Sequence, residues 1–493
     1  MSAVGGGASA VRAVPEPISI IGAGRLGLCW GLAVEQAGYA VKAVDVFPTY
    51  VEAINKRNLK SSEPHVMDML ARCKNLTACL SVAEAAAFSK YIYIFVQTPS
   101  TGGDRHYDHT HLNDVLSQLN ALQVCDKHLI ICCTVMPGYC DQIAPSLLSN
   151  CTNVTVSYSP EFIAQGAIVM GTLQPDMVLI GEGSKEAGDH IEELTLRYVT
   201  NGRPPVHRMS PGSAELAKLS LNSFITLKIA FGNFIGDLAD SAEVARKRAA
   251  PSDIERHDKR RKIDKMQIAL ALGADSRVGL KCLLPGYGFG GPCFPRDGRA
   301  LASYASQVAT SSSLELDQAI AEAPAKANFS HARFQAQQLI AAADAAVTRG
   351  AKRVSVVFDD VTFKPRCAVP IVLESQKLTV AKMVRDLSEH AVVIRSPRSD
   401  VLEAVKRDFG TQFVYWMLPE GDYPVNSPAG TAYIVVDDEL LPTDDGGEKV
   451  RVPTNTKIAA TAKEDDDAIV PDSQVTKEEH RGEGPTSMRT TFN

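Results

Sequence analysis

No apolar run in this 493-residue chain reaches the length of a membrane-spanning helix, which sets aside an integral membrane protein. Residues 1–16 are small and lack an apolar h-region, so they read as a flexible N-terminus rather than a secretory signal. The eleven cysteines include no CxxC pair, and no histidine cluster stands at metal-ligand spacing. A structural zinc site is therefore not expected, and no metal enters the reading. Positive charge is not in excess either: 51 Lys+Arg against 57 Asp+Glu leave a formal net charge of −6. That balance argues against nucleic acid or an anionic membrane as a partner. Without an export signal the cytosol is the default compartment, where thiols stay reduced. What is present is 45% hydrophobic and 22% charged residues, an ordinary globular mixture. The length suits two to four domains, each with its own core.

The densest local signal is Gly286-Tyr287-Gly288-Phe289-Gly290-Gly291-Pro292-Cys293-Phe294-Pro295-Arg296-Asp297. Four glycines within six residues allow a backbone to come close to something. A thiol follows at once, with a charged pair a turn beyond. Two readings stand at this point: a nucleophile whose thiolate character the charges tune, or a surface loop with an inert buried cysteine.

In chain order, Ile18–Ile21 reads as a strand, followed by Gly22-Ala23-Gly24-Arg25-Leu26-Gly27, a helix and a second strand ending in Asp45. Strand, GxGxxG, helix, strand and acid together point to a dinucleotide site. The glycines admit a pyrophosphate to the helix N-terminus, and the acid meets a ribose diol. A carboxylate at Asp45 favours NAD over NADP, because it repels a 2′-phosphate. Further strands end near Thr98 and Thr134. Each of these is either a cofactor contact at the carboxyl edge of the sheet or a cap for the next helix. Glu161, in Ser159-Pro160-Glu161-Phe162-Ile163, is either a carboxylate that orients water or a solvated loop acid.

A long helix over Ser213–Ala239 follows, with apolar residues at Leu216, Leu219, Phe224, Leu227, Phe231, Phe234 and Leu238. Its length suggests a central spine or a dimer-forming helix. Lys218 and Asn222, four apart, share one face of it, either as site residues or as a surface stripe. Residues 243–266 are densely charged and read as a solvated helical insertion, with a basic cluster at 256–262 that also fits a phosphate or import patch. A second α/β unit begins near residue 329, and beyond about 440 the composition is that of a disordered tail. The expected fold is α/β: two doubly wound Rossmann-like domains joined by a central helical domain with a long spine helix. The expected boundaries are 1–16 flexible, 17–210 NAD-binding, 211–328 central and carrying the cysteine loop, 329–440 nucleotide-sugar-binding, and 441–493 tail.

With these pieces in order, residues 17 to about 395 resemble the UDP-glucose/GDP-mannose dehydrogenase family, nearer its UDP-glucose branch. The cysteine loop carries the resemblance most specifically. It is joined by Gly22-Ala23-Gly24, Thr98-Pro99, Thr134-Val135, Ser159-Pro160-Glu161-Phe162, Glu215-Leu216-Ala217-Lys218-Leu219 with Asn222, Arg277-Val278-Gly279 and Phe363-Lys364-Pro365. The resemblance implies an NAD-linked, four-electron oxidation of a nucleotide sugar from alcohol to carboxylate in a homodimer or larger homo-oligomer. It implies that Cys293 traps the intermediate aldehyde, that Lys218 and Asn222 stabilise oxyanions, and that Asp297, Glu161 and Thr134 handle water and protons. NAD would be held by Gly22, Gly24, Arg25, Leu26, Gly27, Asp45, Thr98, Thr134, Gln165 and Arg296. The sugar nucleotide would meet Glu161, Phe162, Ile163, Lys218, Asn222, Tyr287, Gly288, Phe289, Gly290, Phe363 and Lys364, with Arg277 reaching a neighbouring subunit's nucleotide. Against the family pattern, Phe358-Asp359-Asp360 replaces a glycine-ended strand and Leu373 stands where an arginine is usual. Segment 243–266 has no expected counterpart in the family.

Overall fold

Short β-branched and aromatic runs become the strands of a large sheet. The computed structural model describes residues 15–100, 107–250, 252, 259–308, 314–417, 431–441 and 450–460. Eight strands form the first sheet: β1 (Ile18–Ile21), β2 (Val41–Val44), β3 (Leu76–Cys79), β4 (Tyr91–Ile94), β5 (Cys125–Ile131), β6 (Thr152–Tyr158), β7 (Val178–Gly181) and β8 (Val206–Met209). Their order is β3-β2-β1-β4-β5-β6-β7-β8. Every pairing is parallel except β6 with β7, which meet at Tyr158 and Gly181.

Alternation along the strands splits the core in two, as helices on both faces of a parallel sheet require. Tyr91 and Tyr93 join Trp30 and Leu32 on one side, while Ile92 and Ile94 join Leu112 and Leu116 on the other. The strand order reverses between β1 and β4, so their carboxyl ends open the crevice where a ligand of such a sheet binds.

The spine helix spans Pro211–Ala249, ten residues beyond the end expected from its apolar pattern. Proline at its first position and the Ser210 hydroxyl, which accepts from Ser213 N, start it. Its extension is held by Glu243, which pairs with Arg246 and Lys247 and accepts from Ile263 N at 2.9 Å. The first part of the charged segment 243–266 is thus spine helix and not a separate insertion, and part of its basic cluster lies outside the described residues. The apolar periodicity also faces the opposite way from a core stripe. Only Leu219 of that set is buried; Phe224, Phe231, Phe234 and Leu238 are each about half exposed or more. The inward face is instead small and polar: Ala214, Lys218, Asn222, Thr226, Ala230 and Asn233.

Against this face lie the helix Phe294–Val308, here the cysteine helix, and the helix Leu314–Thr348, here the bridging helix. The bridging helix runs unbroken through the 328/329 boundary drawn from sequence and delivers the chain to the second sheet. That sheet has the order β11-β10-β9-β12-β13, with β9 (Arg353–Asp359), β10 (Ala391–Ser396), β11 (Val414–Met417) and β12 (Thr431–Leu441) parallel. Antiparallel to β12 at the edge is β13 (Val450–Ala460), inside the stretch expected to be a disordered tail. Its sequence Val450-Arg451-Val452, followed by Thr454, Thr456 and Ile458, is rich in β-branched residues, and Pro453 is tolerated at a sheet edge. The rest of the tail, 442–449 and 461–493, and residues 1–14 of the flexible N-terminus lie outside the described residues. Among the described residues no helix is long and apolar enough to cross a membrane. Nor do any three or more of their His, Cys, Asp and Glu side chains gather as a metal site would need.

Candidate active site

The carboxyl edge of β1 carries the glycine turn into the helix Arg25–Gln36. Gly22 has φ +99°, and a Cβ there would press on the Phe95 carbonyl at 2.7 Å; one at Gly27 would fall on the Gly22 carbonyl. These two close the turn. Gly24 differs: nothing lies within 4 Å of its missing Cβ, and no side chain caps the helix N-terminus behind it. Free backbone amides beside open space are what a pyrophosphate needs. Leu26 leans on the main core, while Arg25 donates to Gln165 Oε1 at 2.7 Å. Asp45 follows β2 at its carboxyl end and, among the described residues, accepts from Phe47 N at 3.2 Å, which leaves carboxylate capacity for a ribose diol. The residues present fit NAD.

Thr98 and Thr134 follow β4 and β5. The Thr98 hydroxyl donates to Thr134 O at 2.8 Å, so Thr98 ties two strand ends together and does not cap a helix. Arg296 reaches the same place, donating to Thr98 O at 3.1 Å.

Deeper in the crevice is a buried charged cluster. Lys218 and Asn222 are nearly inaccessible, which excludes a surface stripe. Lys218 Nζ donates to the Glu161 carbonyl at 2.7 Å and lies 4.2 Å from the centroid of the Phe162 ring. Burial pulls the lysine below its usual range, and the charges of Asp297 and Cys293 resist that. The Glu161 carboxyl is pushed up to about 7 by burial, with Lys218 pulling it back, so near neutral pH it gains and loses a proton readily. Asp297 has no exposed surface. It accepts from Asn222 Nδ2 at 2.6 Å, Tyr107 OH at 2.7 Å and Arg296 Nε at 2.8 Å. Cys293 closes the cluster from the N-terminus of the cysteine helix, where its carbonyl accepts the first helical bond, from Asp297 N at 2.8 Å. Burial raises its thiol, while Arg296 and Lys218 draw it toward thiolate.

The loop before Cys293 is fixed by polar groups on two helices. Asn328 of the bridging helix accepts from Phe289 N at 3.0 Å and donates to Phe289 O at 2.9 Å. Asn233 of the spine helix accepts from Gly286 N at 2.8 Å. His331 spans the gap between them, with Nε2 at 2.7 Å from Gly286 O and Nδ1 at 2.8 Å from Asp237. A Cβ at Gly288 would fall on the Asn328 amide and one at Gly290 on the Glu374 carbonyl, so these glycines are where the domains meet. Tyr287 lies over Lys377, 5.2 Å from ring centroid to ammonium, and Phe363 lies against Gly291. Lys364 follows Phe363 on the same turn, half-buried.

Arg277 stands apart from this assembly. Its side chain is 87% exposed and paired with Asp275 two residues away. Ile163 sits half-buried on the main core, at the edge of the site. Several residues that shape the site have no role in the sequence reading. Tyr107 reaches Asp297 across 190 positions. Buried Glu63 accepts from Gly166 N at 2.9 Å and Ile168 N at 2.7 Å, anchoring the loop that carries Glu161, Phe162 and Gln165. Buried Glu215 does the same for Gly138 and Cys140 at 2.6 and 2.8 Å. Glu215 opens the Glu215–Leu219 motif without a role attached to it there, and Glu63 and Tyr107 stand in no motif.

A family model for the NAD binding domain of the UDP-glucose/GDP-mannose dehydrogenase family matches residues 16–198, and one for that family's central domain matches residues 247–323. The second match begins inside the charged segment 243–266, so residues 247–266 have a counterpart in the family where none is expected from its pattern. A UDP-glucose 6-dehydrogenase of Rhizobium meliloti (strain 1021) is 27% identical over 354 residues, which are 71% of this chain and 74% of that protein. The UDP-glucose 6-dehydrogenase of Pseudomonas aeruginosa (strain PAO1) is 29% identical over 300 residues, which are 59% and 61% of the two chains. With that second relative the likeness spans about three-fifths of its length. Among solved structures, a UDP-glucose dehydrogenase from the hyperthermophilic archaeon Pyrobaculum islandicum superposes with a TM-score of 0.68 at 25% identity, covering 83% of this chain and 88% of that one.

Proposed function

Because the chain belongs to the UDP-glucose/GDP-mannose dehydrogenase family, we propose that it oxidises UDP-glucose to UDP-glucuronate in two NAD-dependent steps on one site. One observation carries the reading: a half-buried thiol at a helix N-terminus adjoins a buried lysine, amide and carboxylate at the inner end of an NAD crevice. Bound NAD supplies the oxidant, taking one hydride from the substrate carbon in each step.

The residues of this chain do the rest. In the first oxidation Lys218 stabilises the alkoxide at C6 as its proton departs toward the Glu161 and Asp297 region. The Cys293 sulfur then adds to the aldehyde carbon, and the proton of the thiol passes to the carbonyl oxygen, giving a thiohemiacetal that keeps the half-oxidised sugar bound. Loss of the second hydride turns that carbon into a thioester. Water adds to it, the C–S bond breaks, and the thiol recovers its proton. Lys218 and Asn222 face the oxyanion in both halves, and Asp297, whose three hydrogen bonds fix it, holds Asn222 in place. Glu161, near its own proton balance at neutral pH, serves the hydrolytic water.

The proposal includes self-association. Phe224, Phe231, Phe234 and Leu238 leave an apolar face on the spine helix that a second copy of the chain would cover. Sedimentation should give at least twice the 53.0 kDa of one chain, and a monomer at micromolar concentration would remove this part.

The deciding experiment counts NADH formed per UDP-glucose consumed in excess NAD. The thiol trap calls for a ratio of about two. A ratio near one would mean release at the aldehyde and would leave Cys293 without its role. No NADH from UDP-glucose, but formation from GDP-mannose or a UDP-N-acetylhexosamine, would keep the chemistry and change the substrate.

A further inference from the structure

The end of β9 holds the cysteine loop through one side chain. Asp360, directly after β9, has φ +45°, a left-handed conformation that strains a residue bearing a side chain. Its carboxylate spans the turn that follows. Oδ2 accepts from Arg366 N at 2.8 Å, closing a ring of seven residues. Oδ1 lies 3.0 Å from Thr362 Oγ1, a buried hydroxyl that is also 2.9 Å from Lys364 O, its single proton serving one acceptor at a time. The turn so closed carries Phe363 and Lys364.

Phe363 is the element that transmits its position. Its amide donates to Ile371 O at 2.9 Å, and its ring lies where a Cβ of Gly291 would be. Gly291, at φ +82°, donates its own amide to Leu373 O at 3.1 Å. Cys293 is two residues further on. An unbroken series of contacts therefore runs from the Asp360 carboxylate, through the turn and the Phe363 ring, to the backbone that presents the thiol. Neighbouring Asp359 is committed elsewhere, its Oδ1 accepting from Arg395 Nε at 2.6 Å.

We propose that Asp360 is a positioning residue of the active site, setting the cysteine loop through Phe363 and the approach of Lys364 to the sugar nucleotide. The backbone strain at Asp360 is then the condition for its carboxylate to face back into the turn. The kinetic arm of the test rests on the activity proposed above; the exchange arm does not.

Asp360→Gly separates strain from carboxylate, since glycine adopts φ +45° freely and leaves the turn without its brace. Asp360→Asn keeps one acceptor and loses the other. In the full-length protein without ligand, hydrogen–deuterium exchange in Asp360→Gly should be roughly tenfold faster across residues 361–367, as loss of a charge-assisted bond implies, and faster also across 288–293, with no fall in Tm. Asp360→Asn should lie between. Unchanged exchange at 361–367 overturns the brace, and faster exchange confined to 361–367 overturns the link to the cysteine loop. With UDP-glucose, Asp360→Gly should raise KM about tenfold while the KM for NAD holds, by the same lost bond; an unchanged KM overturns the role toward substrate. A wild-type protein that oxidises no nucleotide sugar refutes the proposed activity, and the exchange result still decides the role of Asp360.

Discussion

Replacing Cys293 with Ser is expected to lower steady-state NADH formation by roughly 10³-fold or more, the scale on which loss of a reacting group stops an enzyme. A thiol adds to an aldehyde without a strong base. Burial keeps that of Cys293 protonated at rest, and Arg296 and Lys218 stabilise the thiolate once it forms. A serine hydroxyl in that place has no comparable anion available, and an ester formed from it is a poorer acyl donor than a thioester. The first oxidation does not use the sulfur. Rapid-quench measurement should therefore show up to one NADH per site in a burst, followed by near silence. NAD binding, read from its effect on Tm, should match the wild type, because the glycine turn lies on the first sheet. Continued turnover at a wild-type rate with two NADH per sugar would sink the covalent route.

Lys218→Met should reduce kcat by about 10²–10³-fold, the usual loss when one preorganised oxyanion donor is removed. Methionine keeps most of the volume against Phe162 but removes the ammonium. Burial works against that charge, and the Asp297 carboxylate resists the effect of burial. Because the developing oxyanion carries more charge than the alcohol it comes from, the loss should fall on kcat more than on the KM for UDP-glucose. The second oxidation should slow with the first, since the thiohemiacetal oxygen needs the same donor. A kcat within about threefold of wild type would assign Lys218 to holding the Glu161 loop and nothing more.

How far the sequence carried the reading depended on the span of each signal. The GxGxxG turn and the Cys293 loop are local. Their glycines serve close approaches within a few residues, or between a loop and whatever it meets, and both are legible from composition alone. The spine helix was legible as a helix but not in its orientation. Its apolar residues point outward, because the inward face is packed with the small and polar groups of the site, and periodicity alone does not say which partner an apolar stripe awaits. Lys218 and Asn222 therefore looked ambiguous in a pattern where the buried face is the polar one. Tyr107, Glu63 and Asn328 were beyond reach, since their significance arises only when separate stretches are brought side by side. Leu373, which stands where the family usually has an arginine, gave no sign of what segment 366–375 does. In the fold its Leu373 carbonyl supports Gly291, and Arg299 of the cysteine helix pairs with its Glu374.

The two halves of the site also differ in the distances along the chain that they close. The Gly286–Phe289 part of the glycine loop is held by Asn328, His331 and Asn233, 39 to 53 positions away on the bridging and spine helices, while Gly291 N reaches Leu373 O beyond β9. Asp297 and Arg296 draw theirs from as far as 190 and 198 positions away. Loop closure over the longer spans carries the larger entropic penalty and follows the docking of whole domains. The helical part of the cysteine's cradle closes over the shorter spans, and Gly290 and Gly291 join it to Glu374, Leu373 and Phe363 of the second α/β unit. The setting of the thiol and its acid therefore depends on contacts from all three parts of the chain, from Tyr107 on the first, Asn222 and Asn328 on the second and Leu373 on the third.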